Sequence, residues 1–249
     1  MGDILLGIDV GGTGIKGALV DIKKGTLVSE RIKIGTPQPA NPESITATIK
    51  QLVEMLDWKG KPAGIGFPTL VHKGVCLTAN NIDKSWIGVN LLEHFTEALG
   101  TNVSVLNDAD AAGLSEVHYG AGKHQKGLVI LLTIGTGIGS AMIFNEQIIP
   151  SAELGALKWG KGEMAEHYVS NRARKEGDLS WEEWGSELGN YLNHVIHLLS
   201  PNLIILGGGV SKKLDKFSPY FKIDRNTPIV AATNLNDAGI MGAALNLTM

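Results

Sequence analysis

Three glycine-rich stretches, each directly after an apolar run, occur in a fixed order along the chain: DVGGTGIK from Asp9, TIGTGIG from Thr133 and LGGGVS from Leu206. Glycine lets a backbone approach a ligand closely, and consecutive N–H groups at a turn form an anion site. A lone glycine turn is more often plain turn chemistry. Here the order of strand, glycine turn and hydroxyl residue recurs, with the hydroxyls at Thr13, Thr136 and Ser211. The repetition predicts three loops around one phosphate chain.

Two common phosphate-binding motifs do not fit these loops. No Gly-Lys-Ser/Thr closes a P-loop, and no acidic residue placed to bind a ribose follows a GxGxxG within a βαβ unit. The pattern therefore predicts neither a P-loop NTPase nor a dinucleotide-binding domain.

Composition narrows the class of protein further. With 249 residues, of which 43% are hydrophobic and 19% charged, the chain can bury the core of one large domain or two small ones. Its net charge of -3 argues against a general nucleic-acid binder. No apolar run approaches the roughly 18 residues of a membrane span. The single cysteine, Cys76, cannot form an internal disulfide, so we expect a cytoplasmic protein.

Strand and helix patterns alternate in both halves of the chain, which predicts two α/β domains with a cleft between them. Strands are predicted at 4–8, 15–20, 27–34, 63–67, 103–106, from 128 to the second glycine loop, 140–149 and 203–206. Helices are predicted at 41–57, 90–99, 180–200 and 237–247. Ser180 and Glu183 form a capping box, and Trp181 and Trp184 lie on the apolar stripe that follows, so we assign them to the core rather than to a sugar-stacking surface.

The ordered motifs resemble the actin-like ATPase and sugar kinase superfamily, within it the ROK family, and within that family the polyphosphate-dependent glucokinases. The motifs that carry the resemblance are GIDVGGTGIKGALVD at Gly7, GFPTLV at Gly66, TANNIDKSWIG at Thr78, LNDADAAGLSE at Leu106, the loop at Gly135, ELG at Glu153, LGGGVS at Leu206 and NDAGIMGAA at Asn236. The resemblance implies a two-domain α/β fold of the actin-like ATPase or ribonuclease H-like sugar kinase type. The implied first domain is 1–110 joined by the C-terminal helix 237–249, and the larger second domain is 111–236.

Asp108 is the candidate catalytic residue. It stands where a strand ends and an Ala-rich helix begins, so the local sequence by itself slightly favours a helix N-cap. The resemblance implies instead that Asp108 takes the proton from the attacking sugar hydroxyl and that Asn107 binds neighbouring hydroxyls. Asp110, two residues further along the helix, is expected to point elsewhere.

Asp9 is the candidate metal residue. The resemblance implies that it orients Mg²⁺, through water, beside the transferred phosphate; the local alternative is a turn residue. Lys16 either neutralises charge near this phosphate or points to solvent. The phosphate-binding residues implied by the resemblance are Gly11, Gly12, Thr13, Lys16, Thr136, Gly137, Gly208 and Gly209.

Sugar recognition requires a few fixed polar groups in a mostly apolar cleft. The resemblance assigns this role to Asn81, Asp83, Asn107, Glu153 and Glu166.

Three positions depart from the family pattern. Ala156 replaces the histidine of ELGH, Thr69 replaces the glycine of GxPG, and Asn80 replaces a common alanine. Because the cysteines of the family's zinc site are missing as well, too few ligands occur at metal-binding spacing, and we expect no structural zinc.

The predicted activity is a polyphosphate-dependent glucokinase that transfers the terminal phosphoryl group of polyphosphate to the 6-hydroxyl of glucose. The alternatives are an ATP-dependent ROK hexokinase for glucose or another hexose, a sugar-binding regulator without catalysis, and an actin-like ATPase switch. Family resemblance also implies a homodimer. A polyphosphate site needs a basic groove, for which the candidates are Lys16, Lys123, Lys126, Lys212 and Lys213.

Overall fold

The computed structural model describes residues 2–80 and 82–249, which form two compact α/β units. Unit 1 comprises Met1–Ser115 and Asn236–Met249, and unit 2 comprises Glu116–Leu235. The domain boundaries implied by the resemblance, at 110/111 and 236/237, stay a prediction. Within the described ranges, no helix combines the length and the apolar character that crossing a membrane requires.

The regular elements follow the order of the chain. The described strands are β1 (Ile4–Val10), β2 (Ile15–Asp21), β3 (Thr26–Leu27), β4 (Ile32–Ile34), β5 (Ala63–Phe67), β6 (Val71–His72), β7 (Val75–Cys76), β8 (Val103–Asn107), β9 (Leu128–Ile134), β10 (Ile138–Phe144), β11 (Gln147–Ile149), β12 (Lys158–Trp159), β13 (Glu163–Met164), β14 (Leu203–Gly207) and β15 (Ile229–Ala231). The α-helices are α1 (Pro42–Met55), α2 (Leu91–Leu99), α3 (Asp108–Tyr119), α4 (Glu166–Val169), α5 (Asn171–Glu176), α6 (Trp181–Leu199), α7 (Leu214–Phe217) and α8 (Ala238–Leu245).

The main sheet of unit 1 has the order β3-β2-β1-β5-β8, and β4 also pairs with β2. β1 and β2 are antiparallel, as the predicted meander requires, whereas β1, β5 and β8 are parallel. The single strand predicted at 27–34 is wrong, because it is divided into β3 and β4. Between them the Ser29 hydroxyl accepts a hydrogen bond from Leu19 N at 2.9 Å, which puts a side chain in place of a backbone ladder partner.

The main sheet of unit 2 has the order β11-β10-β9-β14-β15. β9, β10 and β11 are antiparallel neighbours, and β9, β14 and β15 are parallel. The continuous strand predicted at 140–149 is wrong. Asn145 and Glu146 have φ values of 49° and 71° and make a two-residue hairpin turn between β10 and β11.

Helix starts follow the capping residues of the sequence. The side chain of Asn41 accepts from Ser44 N at the start of α1. Ser180 and Glu183 form the predicted capping box at the start of α6. Because these bonds satisfy backbone N–H groups that have no partner within the helix, the local sequence determines where the helix begins.

Tryptophans anchor the cores of both units. Trp184 is fully buried in unit 2, as predicted, and its Nε1 donates to Val169 O at 3.2 Å. Trp86, in a segment predicted as a polar loop, is also fully buried, and its Nε1 donates to Ala40 O at 3.0 Å. The indole ring therefore joins the core of unit 1, because its polar atom has a partner there.

Helix α8 packs directly on the backbone of unit 1. A Cβ atom at Gly64 of β5 would overlap the carbonyl group of Ala243, and one at Gly242 would overlap the carbonyl of Ala111. All residues of α8 are buried. The small residues of this segment predicted such close packing, and the structure confirms it.

A buried carboxylate joins the first and last segments of unit 2. Glu116 is fully buried, and its oxygens accept from the backbone N–H groups of Ala121 at 2.9 Å, Thr233 at 3.0 Å and Asn234 at 2.7 Å. These bonds offset the cost of burying the charge.

Replacing Gly64 with alanine is expected to lower the free energy of unfolding by about 3 kcal/mol or to prevent folding, because backbone cannot move aside as a side chain can. Urea denaturation followed by circular dichroism measures the effect. Gly35 is the matched control, because a Cβ atom added there would have no heavy atom within 4 Å. Gly35→Ala should change the free energy of unfolding by no more than about 0.5 kcal/mol. Equal midpoints for the two variants would contradict the packing argument.

Candidate functional site

In unit 1, the candidate residues gather at one edge of the sheet. Asp9 of β1 is level with Gly66 of β5, which is level with Leu106 of β8. These parallel strands end at the same edge, where ligands bind in open α/β sheets. With a strand spacing of about 4.8 Å, the backbones of Asp9 and Leu106 lie about 10 Å apart. Asp108 begins α3 immediately beyond this edge.

Asp9 is an acid with a basic partner. Its Oδ2 lies 2.9 Å from Lys16 Nζ, and the two residues face each other across β1 and β2. Its carboxyl carbon also lies against Gly239 of α8, where a Cβ atom would come within 2.9 Å. Lys16 therefore points to the carboxylate rather than away into solvent.

The first glycine loop is anchored at its base and exposed at its tip. Gly11 N donates to Gly14 O at 3.1 Å, and Thr36 Oγ1 donates to Gly11 O at 2.5 Å. Gly12 and Thr13 are exposed. The loop thus presents backbone and a hydroxyl group beside the Asp9–Lys16 pair.

The N-cap of α3 is Asn107 and not Asp108, which the local sequence by itself slightly favoured. Asn107 Oδ1 accepts from Ala109 N at 2.8 Å and from Asp110 N at 3.1 Å, the pattern of an N-cap. Asp108 accepts a local bond from Ala109 N at 2.9 Å and stays partly exposed. Asp110 is buried at 2% exposure, consistent with its expected different direction.

Thr69 connects Asn107 to the following loop, and the sequence patterns did not single it out for this. Asn107 Nδ2 donates to Thr69 O at 2.9 Å. The Thr69 hydroxyl donates to Thr78 O and lies 3.1 Å from Cys76 Sγ. The threonine in place of the family's glycine is therefore a buried polar junction, which depends on partners far along the chain.

Of the two sugar candidates in TANNIDKSWIG, Asn81 lies outside the described residues. Asp83 caps the 3₁₀ helix Lys84–Trp86, and its Oδ1 accepts from Ser85 N at 2.8 Å and from Ser85 Oγ at 2.5 Å. These hydrogen bonds hold the pKa of Asp83 below its ordinary value. Its carboxylate thus has a structural task.

In unit 2, Glu153 is placed by a serine that the sequence patterns also missed. Ser140 is 2% exposed, in β10, and its hydroxyl donates to Ala152 O at 2.6 Å and accepts from Leu154 N at 2.8 Å. The two bonds fix the backbone on both sides of Glu153. An inward-facing serine in an apolar strand was the only sequence signal for this role.

Glu166 lies against the second glycine loop. Its Oε2 accepts from Ile138 N at 3.1 Å, and a Cβ atom at Gly137 would overlap the same oxygen. Partial burial first, and the negative charge of Glu166 second, raise the pKa of Glu153. The structure thus brings Glu153, Glu166 and Gly137 together, while Thr136 is exposed at the loop tip.

The third glycine loop leaves the same edge of the unit 2 sheet as the second, since Gly207 is level with Thr133 in parallel strands. Gly208 has a φ of 80°, and a Cβ there would overlap Ile134 O. Ser211 Oγ donates to Gly208 O at 2.8 Å. Gly208 and Gly209 are exposed.

Ala156, where the family's zinc-site histidine is expected, is exposed at the end of a 3₁₀ helix. Within residues 2–80 and 82–249, no group of three or more His, Cys, Asp or Glu side chains is arranged to hold a metal ion. The β12–β13 hairpin that follows is held instead by Trp159, whose Nε1 donates to Glu187 Oε1 at 2.6 Å.

Comparison with known proteins gives consistent matches. The model of the ROK family matches residues 5–167. The chain is 46% identical over 240 residues to polyphosphate glucokinase of Mycobacterium tuberculosis strain H37Rv, covering 96% of this chain and 89% of that protein. The inorganic polyphosphate/ATP-glucomannokinase of Arthrobacter sp. strain KM matches with a TM-score of 0.91 and 46% identity, covering 99% of both chains.

A ROK family glucokinase from Streptomyces griseus, crystallised with glucose and AMPPNP, matches with a TM-score of 0.82 and 26% identity, covering 97% of this chain and 98% of that one. These similarities extend over both units and confirm the fold class expected from the motifs. The chain belongs to the ROK family and has its two-domain, actin-like ATPase type of α/β fold.

Proposed function

We propose that this protein is a polyphosphate-dependent glucokinase, which transfers the terminal phosphoryl group of inorganic polyphosphate to the 6-hydroxyl of glucose. The observation that carries the proposal is the 46% identity to a polyphosphate glucokinase over 96% of the chain. The placement of Asp9 and Asp108 at one sheet edge supports it, since phosphoryl transfer depends mainly on positioning and electrostatic stabilisation.

Asp108 is the proposed general base. Its carboxylate accepts the proton of the glucose 6-hydroxyl as the new O–P bond forms and the bond from that phosphorus to the polyphosphate chain breaks. Because Asn107 caps α3, Asp108 is not needed as the cap. It stays partly exposed at the edge of the sheet, where a substrate hydroxyl has access to it.

Mg²⁺ is the proposed cofactor, with Asp9 as the residue that holds it, through water. Mg²⁺ keeps several waters and binds one or two carboxylates together with substrate phosphates, so it does not require a protein cage. A single half-buried carboxylate at the edge of the sheet fits this mode, and Lys16, 2.9 Å from it, adds positive charge beside the transferred phosphate. When bound, the ion neutralises charge on the transferred phosphoryl group.

The glycine loops are the proposed phosphate site. Gly12, Gly208 and Gly209 are exposed, as are Thr13 and Thr136, and backbone N–H and hydroxyl groups of such residues bind phosphate. Gly11, Gly137 and Lys16 complete the proposed set.

The residues proposed for sugar recognition are Asn81, Asp83, Asn107, Glu153 and Glu166. Asn107 uses Oδ1 for the helix cap and one Nδ2 hydrogen for Thr69, so its contribution to the sugar is the second hydrogen of Nδ2. Asp83 retains Oδ2 for a sugar hydroxyl, since Ser85 N and Ser85 Oγ both donate to Oδ1.

ATP is the second candidate donor, and a specific observation favours it. The Arthrobacter protein, at 46% identity, is named for both polyphosphate and ATP and for both glucose and mannose. A homodimer and a cytoplasmic location also belong to the proposal; they depend on family resemblance and on the single cysteine, Cys76.

A donor and sugar panel tests the activity. We expect phosphorylation of glucose with long-chain polyphosphate and Mg²⁺, and a higher kcat/KM for polyphosphate than for ATP. If ATP is the better donor and polyphosphate gives only background, the ATP-dependent kinase replaces the present assignment. If the protein phosphorylates no hexose with either donor, the result favours the alternative of a sugar-binding regulator without catalysis.

Asp108→Asn is expected to lower kcat by about 10² to 10⁴-fold while leaving glucose KM within a small factor, because the amide keeps the shape but cannot accept the proton. Steady-state kinetics on the folded variant measures this. Asp110→Asn, the same change two residues along α3, is the control and should retain kcat within about threefold. Near-normal turnover of the Asp108 variant would remove it from the mechanism.

The pKa of Glu153 predicts a pH effect on sugar use. A raised pKa means that this carboxylate becomes protonated at a higher pH than an ordinary glutamate. As the pH is lowered, kcat/KM for glucose should therefore begin to fall at a higher pH than an ordinary glutamate would impose. Glu166→Gln removes a neighbouring negative charge, which lowers the pKa of Glu153 and moves the acid limb to lower pH. A pH profile whose acid limb is unchanged in this variant argues against the coupling.

A further inference from the structure

Two basic segments of unit 2 meet at one tryptophan ring. The guanidinium carbon of Arg174, in α5, lies 4.1 Å from the centre of the Trp181 ring, and Lys213 Nζ lies 5.8 Å from it. These residues are 39 positions apart in the chain. The basic cluster, as we define it, consists of Arg172, Arg174, Lys212 and Lys213.

The basic cluster adjoins both glycine loops of unit 2. Arg172 N donates to Gly135 O at 3.2 Å, which attaches the start of α5 to the second loop. Lys212 and Lys213 follow Ser211, whose hydroxyl donates to Gly208 O at the third loop. Because β9 and β14 are parallel, both loops leave the same edge of the sheet.

The charges of this cluster are not neutralised by protein carboxylates. None of its four cations forms an ion pair with any residue in the described ranges 2–80 and 82–249. The cluster lies on α5 and on the segment 211–217, whose acidic residues are Glu176 and Asp215. Glu176 lines a small cavity with Arg172. Arg172, Lys212 and Lys213 are exposed.

Other basic candidates lack these properties. Lys16 is paired with Asp9 at 2.9 Å, and Lys126 is paired with Glu146 at 3.4 Å. Lys123 and Lys126 precede β9, so they lie at the opposite end of a strand of 7 residues. At about 3.3 Å per residue, that strand separates them from the glycine loops by about 20 Å.

We propose that the basic cluster binds the phosphates of polyphosphate that extend beyond the transferred group. The inference rests on the proposed function and names the donor subsite of that same site. A polyphosphate chain offers only repeated negative charge, which cations without carboxylate partners recognise, whereas ATP also offers an adenine base. Trp181 is poorly placed to stack on a base, because its ring already contacts the Arg174 guanidinium and is stacked on Phe217. Stacking holds the guanidinium plane for phosphate contact.

The double variant Lys212→Gln with Lys213→Gln tests the proposal. We expect KM for long-chain polyphosphate to rise about tenfold and KM for ATP to change less than about twofold, because the lost charges face only the extended chain. The slope of log(kcat/KM) for polyphosphate against log salt should become shallower by about 1.4, at about 0.7 for each lost phosphate contact.

Lys123→Gln is the matched control, since it removes the same charge from an exposed lysine at the opposite edge of the sheet. This variant should leave KM for both donors unchanged, and likewise the slope of log(kcat/KM) for polyphosphate against log salt. An equal rise in KM for ATP in the double variant, or the same polyphosphate effect in the control, overturns the proposal. Arg174→Lys, which keeps the charge but loses the stacked plane, should show part of the polyphosphate effect.

Calorimetric titration with long-chain polyphosphate, in the absence of sugar, separates this inference from the proposed function. If the protein binds polyphosphate through Lys212 and Lys213 but transfers no phosphoryl group, the cluster stands and the kinase assignment fails. If it uses polyphosphate and the double variant binds and reacts as wild type does, the cluster is wrong and the kinase assignment stands. A protein that binds no polyphosphate contradicts the cluster whatever its activity with ATP.

Discussion

The close approach of α8 to the strands of unit 1 is the constraint on which the rest of that unit depends. Backbone meets backbone where Gly64 lies against Ala243 and Gly242 lies against Ala111. Such contacts leave no room for side chains, so the C-terminal segment has one position on the sheet. Through Gly239 the same helix contacts the carboxyl group of Asp9. Helix α8 therefore helps to position the side chain of the proposed metal residue, Asp9 of the first strand.

Unit 2 places its candidate side chains by polar anchors rather than by close backbone packing. Ser140 fixes the residues on both sides of Glu153, and Ile138 N fixes Glu166 beside the second glycine loop. Partial burial, and after it the nearby charge of Glu166, raise the pKa of Glu153, an arrangement that costs stability unless a ligand uses it. Hydrogen bonds from sugar hydroxyls would offset that cost, which agrees with a binding role.

Several elements could be predicted because their causes are local. The start of α6 follows from Ser180 and Glu183, which are three residues apart. Apolar stripes and glycine turns are likewise patterns of short spacing. The strand predicted at 140–149 was wrong because of a local turn at Asn145 and Glu146, but two other predictions were wrong because a distant partner intervened. The strand predicted at 27–34 is interrupted because the Ser29 hydroxyl accepts a hydrogen bond from Leu19 N. Trp86, predicted to lie in a polar loop, is buried in the core because Ala40 O accepts its N–H.

The sequence by itself determined the family, the order of strands and glycine loops along the chain, and the capping box of α6, because each motif consists of residues within a few positions of one another. Tertiary structure alone decided which polar groups meet: Lys16 with Asp9, Asn107 with Thr69, and Arg174 with Trp181 and Lys213. The sequence indicated Asp9, Lys16, Asn107 and Lys213 as separate candidates, without partners. Their pairing depends on strand register and on the packing of segments distant in the chain, and neither is encoded in the spacing of neighbouring residues.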